Sequence, residues 1–379
     1  MVDLVVFGED WIGHPSATQH LIKGLLPRHR VIWVNSIGLR APRMNGYDLR
    51  RMMQKLRDFC CKNTADTTEK NLTVLYPLVI PLYGLKWVRR INHWLLVRQI
   101  RRCIRQQQFF RYILWTSLPT SVDVMGDLNA VKCLYYCGDD FSALDGVAYS
   151  PVVVCEQYLA AKVDLVVVPG EQLAKRFNGC PLMILPHGVN YPLFSFPQAR
   201  PDDLPREGPV AGFYGSLSAW LDIDLLIQTA TALPKWQFVF IGPVKTSLSG
   251  LEALPNVHIL PPKRHGQLPA YVQNWDVSLL PFRNNLQIKS CNPLKLKEYL
   301  ASGTPVASTT FHAVKAYSNE VVLQQPREPF YRVIQRAYLF GGDADKRQRQ
   351  QAVEKESWRS RSQWLSQLFL EWETENTCN

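Results

Sequence analysis

No window of this chain holds the roughly eighteen uncharged apolar residues that a membrane-spanning helix needs, so none is expected. Its nine cysteines lack CxxC or CxxH spacing, and an odd number cannot all pair. That argues against a disulfide framework and a zinc site, and fits a reducing cytoplasm. Met1–Gly8 carries Asp3 where a secretory signal has its basic region, and its apolar run is too short, so it reads as a buried first strand. There is no short fixed repeat and no low-complexity tract. Acidic residues are missing altogether from Lys70 to Val122, while Lys70, Lys86, Arg89, Arg90, Arg98, Arg101, Arg102, Arg105 and Arg111 fall inside that stretch. The formal charge of +11 is therefore concentrated rather than spread.

With 46% hydrophobic and 20% charged residues, the composition is that of a globular chain, and 379 residues suffice for two domains. Short β-branched runs ending in Gly, Pro or Asn alternate with helix-like segments, the pattern of parallel sheets with helical crossovers. Strands are expected at 2–7, 31–35, 72–75, 112–115, 131–136, 164–168 and 182–185, and again at 209–214, 236–241, 256–260, 276–280, 304–308 and 320–323. Two such series imply two similar α/β domains, 1–195 and 206–344. The proline-rich segment Phe196 to Pro205 reads as the linker. Residues 345–379 should form one long amphipathic helix, since Trp358, Trp364, Leu365, Leu368, Phe369 and Trp372 recur at helical spacing.

Chemistry concentrates in the second series. Val210 to Tyr214 runs into the small turn Gly215-Ser216, which leaves room for a ligand at a strand's carboxyl end. Further on, Asn292 is placed to cap a helix, with Pro293 and Leu294 opening it and Gly303 closing it. A helix N-terminus presents free N–H groups and the positive end of a dipole, so it can receive a diphosphate, and Lys295 adds a full charge. Glu298 lies one turn on, where a carboxylate can accept from both hydroxyls of a ribose. On spacing alone, Lys295 and Glu298 are equally an ordinary i,i+3 surface pair.

Together with Leu185-Pro186-His187-Gly188-Val189-Asn190, Asn256 to Leu260, Leu268 to Tyr271 and Asp276 to Pro281, the segment Asn292 to Ser308 resembles the GT-B glycosyltransferases from about Phe7 to the C-terminal helix. The resemblance implies a GT-B fold: two doubly wound Rossmann-like domains facing a cleft, with the C-terminal helix returning toward the first domain. It implies a transferase that takes a sugar from a nucleotide-sugar, with UDP favoured over GDP. Lys295 and Glu298 would hold diphosphate and ribose, and the loop with Lys263 and Arg264 would lie beside the base. Retaining family-4 enzymes carry a further Glu with seven residues between it and the ribose Glu, and that position is Ser290 here. The pattern is instead closer to the inverting xanthan glucuronosyltransferase and teichuronic-acid-type transferases.

Inverting transfer needs a general base for the acceptor hydroxyl and positive groups for the leaving diphosphate. Asp139 and Asp140, in Tyr136-Cys137-Gly138-Asp139-Asp140, end a strand on the cleft side, and resemblance to an "SDG" turn favours Asp139. Either one equally reads as a helix cap. His14 is the alternative base, and Glu9 and Asp10 are candidate acceptor contacts. No metal and no cofactor are expected, because helix ends and basic side chains serve the diphosphate and Asp222-Ile223-Asp224 reads as helix capping.

Lys86 to Arg105 interleaves tryptophan and arginine on a helical pattern that suits an anionic lipid surface. The Trp and Arg positions run along one side, so either the helix breaks near Leu96 or both of its sides are used. The expected acceptor is a lipid-linked saccharide or oligosaccharide at the inner face of a bacterial membrane. Nucleic acid is not expected, for want of a recognised module. A GT-B nucleotide-sugar epimerase and a non-catalytic GT-B subunit are the competing readings.

Overall fold

The computed structural model describes residues 1–12, 16–36, 64–66, 69–78, 86–140 and 149–375. The described chain forms two compact units, Met1–Pro186 with Arg361–Asn379, and His187–Ser360.

The first unit is built on a sheet of β1 (Asp3–Gly8), β2 (Arg30–Asn35), β3 (Thr64–Asp66), β4 (Leu72–Leu75), β5 (Tyr112–Thr116), β6 (Lys132–Tyr136), β7 (Leu165–Val168) and β8 (Leu182–Ile184), in the order β3-β4-β2-β1-β5-β6-β7-β8. All neighbours are parallel except the β3–β4 edge pair. A parallel strand covered on both faces is apolar along most of its length; Asp3–Gly8 is buried at every position, and its one charge, Asp3, pairs with Arg30 (2.6 Å). The chain runs outward from β1 through β2 to β4, then returns across the sheet to β5. The direction of winding therefore reverses between β1 and β5, the place where open sheets of this kind bind ligands.

The second unit repeats the plan with β9 (Val210–Tyr214), β10 (Gln237–Ile241), β11 (Val257–Leu260), β12 (Val277–Leu280), β13 (Val306–Ser308) and β14 (Val322–Leu323), all parallel, in the order β11-β10-β9-β12-β13-β14. Here the reversal lies between β9 and β12. Every expected strand is found, and β3 is added. Three residues without an apolar run gave β3 no signal.

Two expectations about organisation change. Residues 187–205 pack with the second unit instead of forming a separate linker. Phe194 is fully buried in its core, Gln198 N–H donates to Gln273 Oε1 (2.9 Å) and Arg200 Nη1 donates to the Asn274 carbonyl (2.7 Å). Proline stops regular structure there but does not stop docking. The C-terminal region is two helices, Asp343–Glu354 and Trp358–Glu375, because the chain turns at Lys355–Ser357. At that turn Val189 N–H donates to the Glu356 carbonyl (2.8 Å), and a Cβ on Gly188 would sit 2.6 Å from the Trp358 amide nitrogen. The first helix belongs to the second unit, and residues from Arg361 onward belong to the first.

On the first unit that last helix is held by polar contacts inside an apolar seam. Ser362 Oγ donates to the Leu21 carbonyl (2.9 Å), and Phe369 packs edge-on to Trp115 with ring centroids 6.2 Å apart. His29 is buried, with Nδ1 3.1 Å from the Val2 carbonyl and Nε2 2.7 Å from Ser366 Oγ. That arrangement suits a neutral ring protonated on Nδ1 and accepting at Nε2. Burial, despite the opposing Val2 contact, holds the His29 pKa below its ordinary 6.5. A depressed histidine stabilises the fold above the unfolded value and loses that contribution as pH falls through 6.5 and below. The melting temperature should therefore drop between pH 7.5 and 5.5, and the drop should be smaller in His29→Gln; an equal drop in both would show that other groups govern the acid limb.

Candidate functional site

The helix Leu294–Ser302 follows β12 and feeds β13. It ends at Gly303, which is left-handed (φ 77°) and whose carbonyl accepts from Arg349 Nε (2.9 Å). Its start differs from expectation. Pro293 is extended (φ −73°, ψ 119°) and occupies the cap position, so Asn292 stands one residue outside and Leu294 is the first helical residue. Lys295 is then the second helical residue, still within the turn whose amides lack intrahelical acceptors.

Lys295 runs directly over the turn after β9. Gly215 has φ 131°, and a Cβ there would meet Lys295 Cε at 2.3 Å and Nζ at 2.9 Å. Gly242, after β10, has φ 146° and would bring a Cβ within 2.1 Å of the Gly215 carbonyl oxygen. At Gly242 both backbone conformation and space exclude a side chain, and at Gly215 the backbone conformation disfavours one. The result is a floor of bare backbone at the winding reversal, with an ammonium above it. Ser216 shares a hydrogen bond with Ser218 (3.0 Å) beside this floor, and Asp222 caps the next helix by accepting from Leu225 N–H (3.2 Å).

Glu298 is 9% exposed, and both its oxygens are engaged. Oε2 accepts from the Tyr214 hydroxyl, and Oε1 lies 2.7 Å from His265 Nε2. Burial alone would raise its pKa, but the hydrogen bond and charge of His265, the Tyr214 bond and the nearby Lys295 together hold it below the ordinary carboxylate value. This is a desolvated anion kept ionised by donors. Sequence reasoning found the carboxylate and missed its two partners, because neither Tyr214 nor His265 stands at a helical spacing from it.

The two basic residues expected beside the base diverge. Lys263 Nζ pairs with Asp203 Oδ2 (2.6 Å), whose other oxygen accepts from the Tyr271 hydroxyl (2.6 Å), so Lys263 staples the 196–205 segment to the unit. Arg264 is exposed and opens the short turn His265–Gln267 through its backbone N–H on Gln267 Oε1 (3.0 Å).

In the first unit Asp139 and Asp140 follow β6 and separate in role. Asp140 is ion-paired with Arg176, whose Nη2 also holds Glu156 Oε2 at 2.6 Å. Glu156 is buried and accepts from the Tyr135 hydroxyl (2.8 Å); burial raises its pKa, which those side-chain bonds partly offset. Cys137 Sγ contacts the Asp139 carbonyl (3.3 Å), while the Asp139 side chain is exposed. Asp140 is thus a structural anion, and Asp139 is the one presented outward. Glu9 accepts from Ser16 Oγ (3.0 Å) and through its carbonyl from Trp33 Nε1 (2.9 Å); the Asp10 carbonyl accepts from Gln19 Nε2 (3.1 Å). With β5 alone between the parallel strands β1 and β6, the Glu9–Asp10 loop and Asp139 share the carboxyl end of the sheet. His14 lies outside the described residues.

Comparison with known proteins then places the architecture. The structure superposes on sucrose-phosphate synthase from Thermosynechococcus elongatus with a TM-score of 0.72 at 15% identity, covering 99% of this chain and 100% of that one. Anabaena HepE in complex with UDP-glucose gives 0.64 at 12% identity, over 98% and 100% of the chains. This chain has the GT-B fold. Residues 208–336, within the second unit, match the family model described as Glycosyl transferases group 1. A putative teichuronic acid biosynthesis glycosyltransferase, TuaH of Bacillus subtilis, is 35% identical over 130 residues, which span 32% of this chain and 33% of that protein.

Proposed function

We propose that this GT-B protein is a glycosyltransferase that moves a sugar from a UDP-sugar to a lipid-linked or oligosaccharide acceptor in bacterial polysaccharide assembly, with inversion. The observation that carries the proposal is Lys295 over the bare Gly215 turn, one helical turn from the buried anion Glu298, inside the group 1 domain. A backbone floor, a helix N-terminus and an ammonium suit a diphosphate leaving group, and no metal ion is needed for that charge balance. UDP is favoured because HepE was crystallised with UDP and with UDP-glucose, and polysaccharide assembly because of the TuaH similarity. The absence of an acid at Ser290 favours a single displacement, with Asp139 taking the acceptor proton. Isothermal titration of UDP and GDP into the protein and into Lys295→Ala tests the donor site; equal affinity of the two forms would remove its basis.

The acceptor proposal rests on the helix Lys86–Gln106, which is unbroken. Val88, Asn92, Leu96, Ile100 and Cys103 make its buried face. Trp87 and Trp94 are each 58% exposed and Ile91 38%, and Arg98 lies over Trp94 at 5.5 Å. Arg90, Arg101, Arg102 and Arg105 are exposed as well, and Phe110, just beyond, is 90% exposed. One acid does approach from outside the helix, since His93 lies 3.0 Å from Asp127, whose backbone carbonyl also accepts from Arg101. Among the described residues no helix is long and apolar enough to cross a membrane. The surface instead fits peripheral docking to the anionic inner face, with tryptophans in the interface and arginines on headgroups. Sedimentation with vesicles containing phosphatidylglycerol should capture the protein at low salt, less at high salt, and less after Trp87→Ala and Trp94→Ala. Equal recovery with neutral vesicles would refute the electrostatic part.

A further inference from the structure

Glu298 is placed to meet a ribose, yet both its oxygens are engaged. A carboxylate has about four acceptor sites, but at 9% exposure little of Glu298 is open to anything further. One of its two partners is fixed. Tyr214 belongs to β9, its N–H contacts the Tyr299 hydroxyl (3.3 Å), and its ring is packed against Trp275 and Tyr299 at centroid distances of 6.5 and 5.3 Å.

The other partner stands on a short turn nearer the surface. His265 opens the three-residue turn His265–Gln267, and its side chain is 18% exposed. The next residue is Gly266, around which a Cβ would meet no atom within 4 Å. The imidazole touches the Phe194 ring edge-on (5.5 Å) and lies 2.7 Å from Glu298 Oε1.

We infer that His265 is a specificity residue of the donor site, holding Glu298 Oε1 in the nucleotide-free protein and ceding it to a ribose hydroxyl of the bound nucleoside diphosphate. This rests on the donor-site proposal above. The exchange conserves hydrogen bonds. A buried anion left without a donor is strongly disfavoured, so the oxygen passes from one donor to another and is never bare. The ribose gains a bond only by breaking one, so His265 lowers affinity for any nucleoside diphosphate. It sets a higher bar for a nucleoside diphosphate whose sugar lacks the hydroxyl, because such a sugar displaces the imidazole without replacing its bond. Pyrophosphate, which has no ribose, does not need the exchange.

Titrations of UDP and of pyrophosphate into wild type, His265→Ala and His265→Asn test this. His265→Ala should bind UDP more tightly, by on the order of tenfold, the equivalent of about one hydrogen bond, with pyrophosphate affinity unchanged and the Asn variant between. In the wild type, the His265 ring resonances should shift on saturation with UDP and stay in place with pyrophosphate, a readout that does not depend on how well any variant folds. Weaker or unchanged UDP binding by His265→Ala, or ring resonances indifferent to UDP, would overturn the exchange while leaving the donor site intact. Failure of both ligands to bind any form would overturn the donor site, and this inference with it.

Discussion

Lys295→Ala should weaken UDP binding by roughly 10- to 100-fold while leaving the melting temperature near that of wild type. The range follows from the loss of one charge-assisted contact, about 1.5–3 kcal/mol, at about 1.4 kcal/mol per tenfold. Only a modest loss of stability is expected, because the side chain is half-buried and Lys295 is the last of several groups that keep Glu298 ionised, after His265 and Tyr214. Arginine should not restore binding. The Lys295 stem already passes 2.3 Å from where a Gly215 Cβ would stand, and a planar guanidinium demands more width than a single ammonium. Gly215→Ala should be at least as damaging, since φ 131° is a strained conformation for any side chain. Titration calorimetry with UDP decides; full affinity in Lys295→Ala would mean that the helix terminus is not the diphosphate site.

Asp139→Asn should abolish most transfer and leave UDP affinity untouched. Removing a general base lowers kcat by about 10²- to 10⁴-fold, and the amide is close enough in shape to preserve the turn. Its neighbour provides the internal contrast. Asp140 neutralises Arg176 beside the buried Glu156, so Asp140→Asn should lower the melting temperature, because it leaves the guanidinium shared between one carboxylate and an amide. Two adjacent aspartates would then fail in two different assays. Wild-type turnover by Asp139→Asn would reject its role as the base and direct attention to the Glu9–Asp10 loop at the same end of the sheet.

Much of the fold was legible because strand and helix signals are local. The buried runs at 3–8, 30–35 and 210–214 announce parallel strands by composition alone, and Gly303 stops its helix for a reason intrinsic to glycine. The short edge strand Thr64–Asp66 had no such signal. The helix Lys86–Gln106 looked internally inconsistent in sequence because its tryptophans and arginines share one side; the structure resolves this by packing a different face, from Val88 to Cys103. Tertiary contact overrode the obvious amphipathic reading.

The candidate site divides in the same way. By itself the sequence determined the two features on which the proposed diphosphate site rests, since a glycine turn after a strand and a lysine at a helix start are fixed by neighbours in the chain. Only the tertiary structure decided what each charged group does. Lys263 is committed to Asp203, 60 residues away, Asp140 to Arg176, 36 away, and Glu298 to Tyr214 and His265, 84 and 33 away. Backbone conformation follows local propensity, whereas a charge takes whichever partner the packing of the sheet brings within reach, and that distance is not written in the spacing of residues.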